Sequence, residues 1–211
     1  NEDAYNVAVG FAALEATTTG KNNTAVGGNA LLVNTTGSSN TAVGTGALDA
    51  NTTGGENVAI GSLALTDSNT AVGHDALRLN STGNNNTALG LDALRATTAS
   101  DNIGVGRSAA ASNTSGNSNV AIGTSALYTN TVGDRNVAVG HQAMYYTIPA
   151  SNADMYNVAV GYEALLQNTT GIQNTAIGGL ALDANTTGGN NTAVGMGALG
   201  NSTTANSNTA V

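Results

Sequence analysis

Asn40-Thr41-Ala42-Val43-Gly44-Thr45-Gly46-Ala47-Leu48-Asp49-Ala50-Asn51-Thr52-Thr53-Gly54-Gly55-Glu56 is one complete unit of a repeat, and the next residue, Asn57, opens another. The opening motif, Asn-(Thr/Val)-Ala-(Val/Ile)-Gly, begins at Asn6, Asn23, Asn40, Asn57, Asn69, Asn86, Asn102, Asn119, Asn136, Asn157, Asn174, Asn191 and Asn208. The intervals are 17, 17, 17, 12, 17, 16, 17, 17, 21, 17, 17 and 17 residues, so the period is 17. Numbered from the Asn, the unit reads N-T-A-V-G-x-x-A-L-x-x-N-T-T-G-x-x. Position 1 is Asn in all thirteen copies, and position 5 is Gly and position 8 Ala in the twelve that reach them. Position 3 is Ala except at Gly104. Position 4 is Val, Ile or Leu, and position 9 is Leu except at Ala110 and Met144. Self-similarity at a short fixed period is the signature of a solenoid.

The unit makes a poor helix, because glycines and β-branched residues recur in it and Asn-Thr-Thr-Gly has the chemistry of a turn. The Asn-to-Gly stretch predicts a short strand. The Ala-Leu stretch after it predicts a second short strand or a brief helical turn. One unit then makes one coil of a parallel β-solenoid, and thirteen coils at about 4.8 Å predict a rod roughly 60 Å long. Stacking accounts for the constant positions. Asn23, Asn40, Asn57 and their equivalents are expected to form an amide ladder in which each side chain bonds the next. Gly27, Gly44, Gly61 and their equivalents predict a backbone angle that a Cβ forbids, or close approach of another chain. The irregular units vary in the turn, where a loop should vary. A single repeat domain over 1–211 is expected, as a piece of a longer fibre whose repeats start at residue 6 and continue past 211.

Along the strand, positions 2 and 4 face one side and position 3 the other. Neither side is clearly polar, which predicts that both are buried and that the chain is an obligate homo-oligomer. The small Ala at position 3 is expected to let sister strands approach.

Asn-Val-Ala-Val-Gly, Asn-Val-Ala-Ile-Gly and Asn-Thr-Ala-Val-Gly, each followed by x-x-Ala, resemble the head repeats of YadA-like trimeric autotransporter adhesins. Similar repeats occur in phage tail fibres. The resemblance covers the chain from Asn6. It implies a left-handed parallel β-roll, a homotrimer around a common axis, and an adhesive surface outside the cell, whether on a bacterial surface or on a virion or injection-system fibre. The 17-residue unit departs from the family in being longer, by its Asn-Thr-Thr-Gly turn, and the chain shows no coiled-coil stalk or membrane anchor.

Composition narrows the function. Of 211 residues only 9% are charged and 3% aromatic, and the net charge is −8 with five Lys plus Arg. That set builds no basic patch, so nucleic-acid binding is not expected. No apolar run is long enough to insert in a membrane. There is no Cys, and no cofactor is expected. His74 and His141 both follow the position 5 Gly four coils apart, roughly 19 Å along the rod. They read as solvent-facing, with a metal or anion site on a trimer axis as the sharper alternative. Asp49, Asp75, Asp92, Asp183, Glu15 and Glu163 lie between the strand motifs and read as solubilising charges rather than a glycosidase pair. The Gly-Gly-x-Gly-x-Asp pattern of calcium-binding solenoids is absent. The Asn-x-Thr triplets at Asn34 and Asn51 match glycosylation acceptors, but their place in the repeat marks them as turns.

The 21-residue unit breaks the pattern. It carries Tyr145, Tyr146 and Tyr156 and the chain's one Pro, and Tyr162 follows closely. Tyrosines on a projecting loop can stack on sugars or anchor a protein, so these four are the candidate ligand contacts. The alternative is a loop that packs on sister chains. The function expected is a structural and adhesive segment of a trimeric extracellular fibre that binds a surface glycan or protein, and not an enzyme. An ice-binding solenoid, from the Thr rows at Thr18, Thr35, Thr52, Thr169 and Thr186, and a carrier β-helix of a polysaccharide depolymerase are the competing readings.

Overall fold

The computed structural model describes residues 4–64, 69–151 and 153–211. Residues 1–3, residues 65–68 of the short unit, which include Leu65 at position 9, and Asn152 of the enlarged unit lie outside that set. Among the described residues the chain is all-β, with no helix. Strands occupy positions 2–4 of each unit, from Val7–Val9 and Thr24–Val26 to Thr192–Val194 and Thr209–Ala210. Thirteen strands form one parallel sheet, paired at identical repeat positions, as in Thr24↔Thr41, Ala25↔Ala42 and Val26↔Val43. Unequal units leave the register intact. Val58 pairs with Thr70 across the short unit and Val137 with Val158 across the enlarged one. The chain is a β-solenoid with one unit per coil.

The expected second strand does not form, and no helical turn replaces it. Positions 7 and 9 both adopt left-handed backbone, as at Asn29 (φ 60) and Leu31 (φ 52). Successive N–H groups therefore point opposite ways along the rod. Asn29 N–H donates back to the Phe11 carbonyl (2.8 Å), and Leu31 N–H donates forward to the Ala47 carbonyl (2.9 Å). Between them Ala30 N–H closes a turn on the Gly27 carbonyl (3.3 Å). A left-handed non-glycine residue costs roughly 1–3 kcal/mol. Inter-coil hydrogen bonds and the burial of Leu31, Leu48, Leu77, Leu94, Leu127, Leu165 and Leu182 offset it.

The position 3 alanines do not meet sister chains. Ala25, Ala42, Ala121 and Ala138 are fully buried inside their own coils, against the Ala and Leu of positions 8 and 9. The interior is so thin that Ala fills it, and positions 2 and 4 face outward instead. In the unit that departs from the pattern, the space is taken by a side chain of the preceding coil. Where position 3 is Gly104, a Cβ would lie 2.8 Å from Leu94 Cγ of the preceding coil, and in this same unit position 9 is the smaller Ala110.

The position 5 glycines are required twice over. Gly27 and Gly44 have φ of 136° and 137°, and a Cβ on Gly27 would lie 2.5 Å from the Gly44 carbonyl oxygen. The close approach comes from the next coil of the same chain rather than from another chain.

The Asn ladder differs in its links from a simple amide stack. Asn40 backbone N–H donates to Asn23 Oδ1 (2.9 Å), and Asn23 Nδ2 donates to the Gly37 carbonyl of its own coil (2.8 Å). Direct amide-to-amide bonds occur at some steps, such as Asn57 Nδ2 to Asn40 Oδ1 (2.8 Å). A second ladder runs through position 12. Asn34, Asn113, Asn130, Asn168 and Asn185 are fully buried, and Asn34 Nδ2 donates to the same Gly37 carbonyl (3.0 Å). Two buried amides thus converge on one carbonyl and close the coil, as they also do at Gly54, Gly133, Gly171 and Gly188, which explains why these positions take a short side chain with a donor and an acceptor. It also takes Asn34 and Asn51 out of reach of glycosylation in the folded chain.

Candidate functional site

Stacked coils turn each repeat position into a row along the rod, so residues 17 or 21 apart in sequence become neighbours. The four candidate tyrosines fall on four rows. Tyr145 occupies position 10, where its ring stacks on Tyr128 of the preceding coil (centroids 5.2 Å, interplanar angle 14°). Tyr146 packs edge-on against Tyr145 (4.6 Å, 71°). Tyr162 occupies position 6 and stacks on His141 of the preceding coil (5.5 Å, 8°). Tyr156, at position 17, lies under the Arg135 guanidinium, 5.6 Å from the ring centre. The structure brings Tyr145 and Tyr146 together with Tyr128, and places Tyr156 and Tyr162 on separate rows.

Tyr146, Tyr156 and Tyr162 are about half exposed. Burial, reinforced by Tyr128 and Tyr146, raises the Tyr145 pKa above its ordinary value. The Tyr162 pKa is raised as well, through a hydrogen bond to Glu163 and the repulsion of that carboxylate.

The enlarged coil projects less than its sequence implies. Ala153–Asp154 forms a short parallel pair with Gly133–Asp134 of the coil before it. Met155 N–H donates to the Asp134 carbonyl (3.2 Å), the Met155 side chain is fully buried, and Pro149 is buried too. Arg135 and Asp154 form an ion pair across the two coils. The loop is fastened to its own rod.

The other candidates are dispersed. His74 and His141 are exposed on the position 6 row, and His74 Nδ1 lies 3.6 Å from Asp75 Oδ1. Among the described residues no group of three or more His, Cys, Asp or Glu is placed to hold a metal ion. Asp75 lies 3.7 Å from Arg78 and Asp92 3.6 Å from Arg95, so each carboxylate faces a guanidinium. In the Thr rows, Thr18, Thr35, Thr169 and Thr186 each donate the hydroxyl to the carbonyl of the next coil's Thr (2.9–3.0 Å). Their protons are committed within the rod, and Ile148 interrupts the row.

Sequence reading missed Tyr128, Arg135 and Asp154, and the pairing of His141 with Tyr162. The signal was available, since Tyr128 and Tyr145 share position 10, and His141 and Tyr162 share position 6. The apolar strand face was legible, but not that it is the one turned outward. The outward strand face carries a row of branched aliphatics at position 4, including Ile60, Leu89, Ile122, Val160 and Ile177, each 36–47% exposed. Val26, Val43, Val72, Val105, Val139 and Val194 continue the row at intermediate exposure. No family model matches the chain, and neither a curated protein nor a solved structure matches it.

Proposed function

We propose that this chain is a rod segment of a homotrimeric extracellular fibre, a structural and adhesive module that attaches to a surface glycan or protein and performs no catalysis. The observation that carries the proposal is the position 4 row. It is an apolar stripe on the flat face of the rod, unbroken from coil to coil and flanked at position 2 by Thr, Val and Ile. Soluble monomers rarely leave a continuous apolar patch of such length in water. A parallel homotrimer covers all three stripes at once, because every coil presents the same residue at the same height and threefold symmetry closes the assembly. The YadA-like pattern of the repeat points the same way. A covered stripe leaves the corners and turns free, and these carry the tyrosines.

Light scattering on the chain in solution tests this. A mass three times the 20.6 kDa of one chain supports the fibre. A stable monomer overturns it.

A further inference from the structure

Position 6 forms an exposed row on the corner after the strand. It holds Phe11 (84% exposed), Tyr162 (54%) and Met196 (86%), and also Gly28 and Gly179. Gly28 stands one coil after Phe11, and Gly179 one coil after Tyr162. The row's Phe and Tyr are thus each followed by a glycine, and both glycines of the row follow one of them.

The fold does not require these glycines. A Cβ on Gly28 would meet nothing within 4 Å, and a Cβ on Gly179 only the Tyr162 carbonyl oxygen at 3.8 Å. Neither has the left-handed φ of the position 5 glycines beside them. What they do is leave one face of each ring uncovered. Beyond Tyr162 the row next carries a side chain at Met196, two coils on and so about 9.6 Å away. The result is a notch one coil high, floored by Gly178-Gly179 and walled by a ring face. Gly27-Gly28 floors the same notch beside Phe11.

We propose that these two notches are binding sites for the pyranose ring of a neutral sugar. His141 on Tyr162 shows how this row accommodates a ring one coil away, near-parallel at 5.5 Å. Flat rings in full contact lie about 3.5–4.0 Å apart, so the coil rise holds them too far apart for close stacking. A puckered chair, with C–H groups on both faces, spans the rise better. Its C–H bonds carry partial positive charge toward the negative face of the ring. Glu163 beside Tyr162 and the net charge of −8 disfavour acidic sugars and nucleotides.

The proposal rests on the adhesive reading and names its ligand. Saturation-transfer NMR on the full chain, with neutral oligosaccharides of glucose, galactose, mannose and N-acetylglucosamine, should show at least one sugar contacting the Tyr162 and Phe11 rings. Gly179→Tyr fills one notch and Gly28→Tyr the other, in open space, so both variants should keep the wild-type fold. Each should weaken its own site by roughly two- to tenfold, a loss on the scale of one aromatic contact, and Tyr162→Ala should do the same at the first. Unchanged sugar binding in the glycine variants overturns the notch. So does contact with these rings by aromatic peptides but by no sugar, or shielding of both rings by sister chains in the assembled protein. Adhesion to neutral glycans that survives both glycine variants leaves the adhesive reading standing without the notches. Sugar binding by a monomer removes the trimer and keeps them.

Discussion

The left-handed residues at positions 7, 9 and 17 are the most demanding feature of the coil, and the side chains found there obey one restriction. None of them is Val, Ile or Thr, in a chain where those three types fill the strands and turns. Branching at Cβ makes left-handed backbone a true outlier, which explains why position 4 takes Val and Ile while position 9 takes Leu. Leu127→Ile tests this. A volume-conserving swap in a core usually costs less than about 1.5 kcal/mol, and here about 1–3 kcal/mol of backbone strain should be added, read as a lower denaturant midpoint. Leu127→Met, unbranched, should stay near wild type. The buried amides are equally particular. Asn119 accepts from Asn136 N–H (3.0 Å) and donates to the Gly133 carbonyl (2.8 Å). Asn136 Nδ2 donates to the same Oδ1 (3.2 Å), so Asn119→Leu leaves two buried Asn136 donors unpaired, at about 1–3 kcal/mol each, while the Gly133 carbonyl keeps Asn130 Nδ2 (2.9 Å). Its unfolding midpoint should still fall further than that of Leu127→Ile.

The enlarged coil shows which contacts hold an irregular element to the rod. Its Arg135–Asp154 ion pair is half exposed on both sides, and such pairs contribute about 0–1 kcal/mol. Met155 is fully buried, and its truncation to Ala should cost about 2–5 kcal/mol. Hydrogen exchange at the Met155 amide should therefore accelerate strongly in Met155→Ala and little in Arg135→Ala. The aromatic row beside it has a pH signature. Tyr145 has its folded pKa raised, so the neutral phenol favours the fold up to the ordinary tyrosine range. That contribution is lost as pH rises above it, and alkaline unfolding should be delayed in Tyr145→Phe. The strand, the coil length and the placement of insertions were legible in the sequence, because Asn6, Asn23 and their equivalents fix a register that nothing else disturbs. The corner at positions 7–9 was not, since Ala-Leu has no turn composition and its conformation is set by hydrogen bonds to coils 17 residues away. Which face of the strand points inward was misread for a related reason. An Ala row is compatible with either a thin interior or a close interface, and only the Leu of position 9 folding back over it decides between them. The tyrosines were found as a group, but their separation onto four rows depends on the position each occupies in its unit.

At the scale of the whole rod, each coil contacts only its neighbours, so stability accumulates coil by coil, and one surface substitution on an isolated rod stays local. Assembly changes that. Ile122 and Val139 are adjacent rungs of the position 4 row, paired in register across the sheet, and both point away from the core. In an isolated chain Ile122→Lys and Val139→Lys would put two solvated ammonium groups on an exposed face, and surface changes of that kind usually stay within about 0.5 kcal/mol. In a closed trimer the same pair would place six like charges around one axis within two coils, desolvated and unpaired, which no neighbouring carboxylate relieves. The double variant should therefore melt like wild type if the rod is monomeric. If the stripe is the trimer seam, the mass should drop toward that of one chain, or the melting midpoint should become strongly dependent on protein concentration. Lysines at Thr35 and Thr186, on the turn side, serve as the control and should leave the assembled mass unchanged. Loss of the trimer with the stripe lysines alone would assign the seam to the strand face, and equal loss with both pairs would assign it elsewhere.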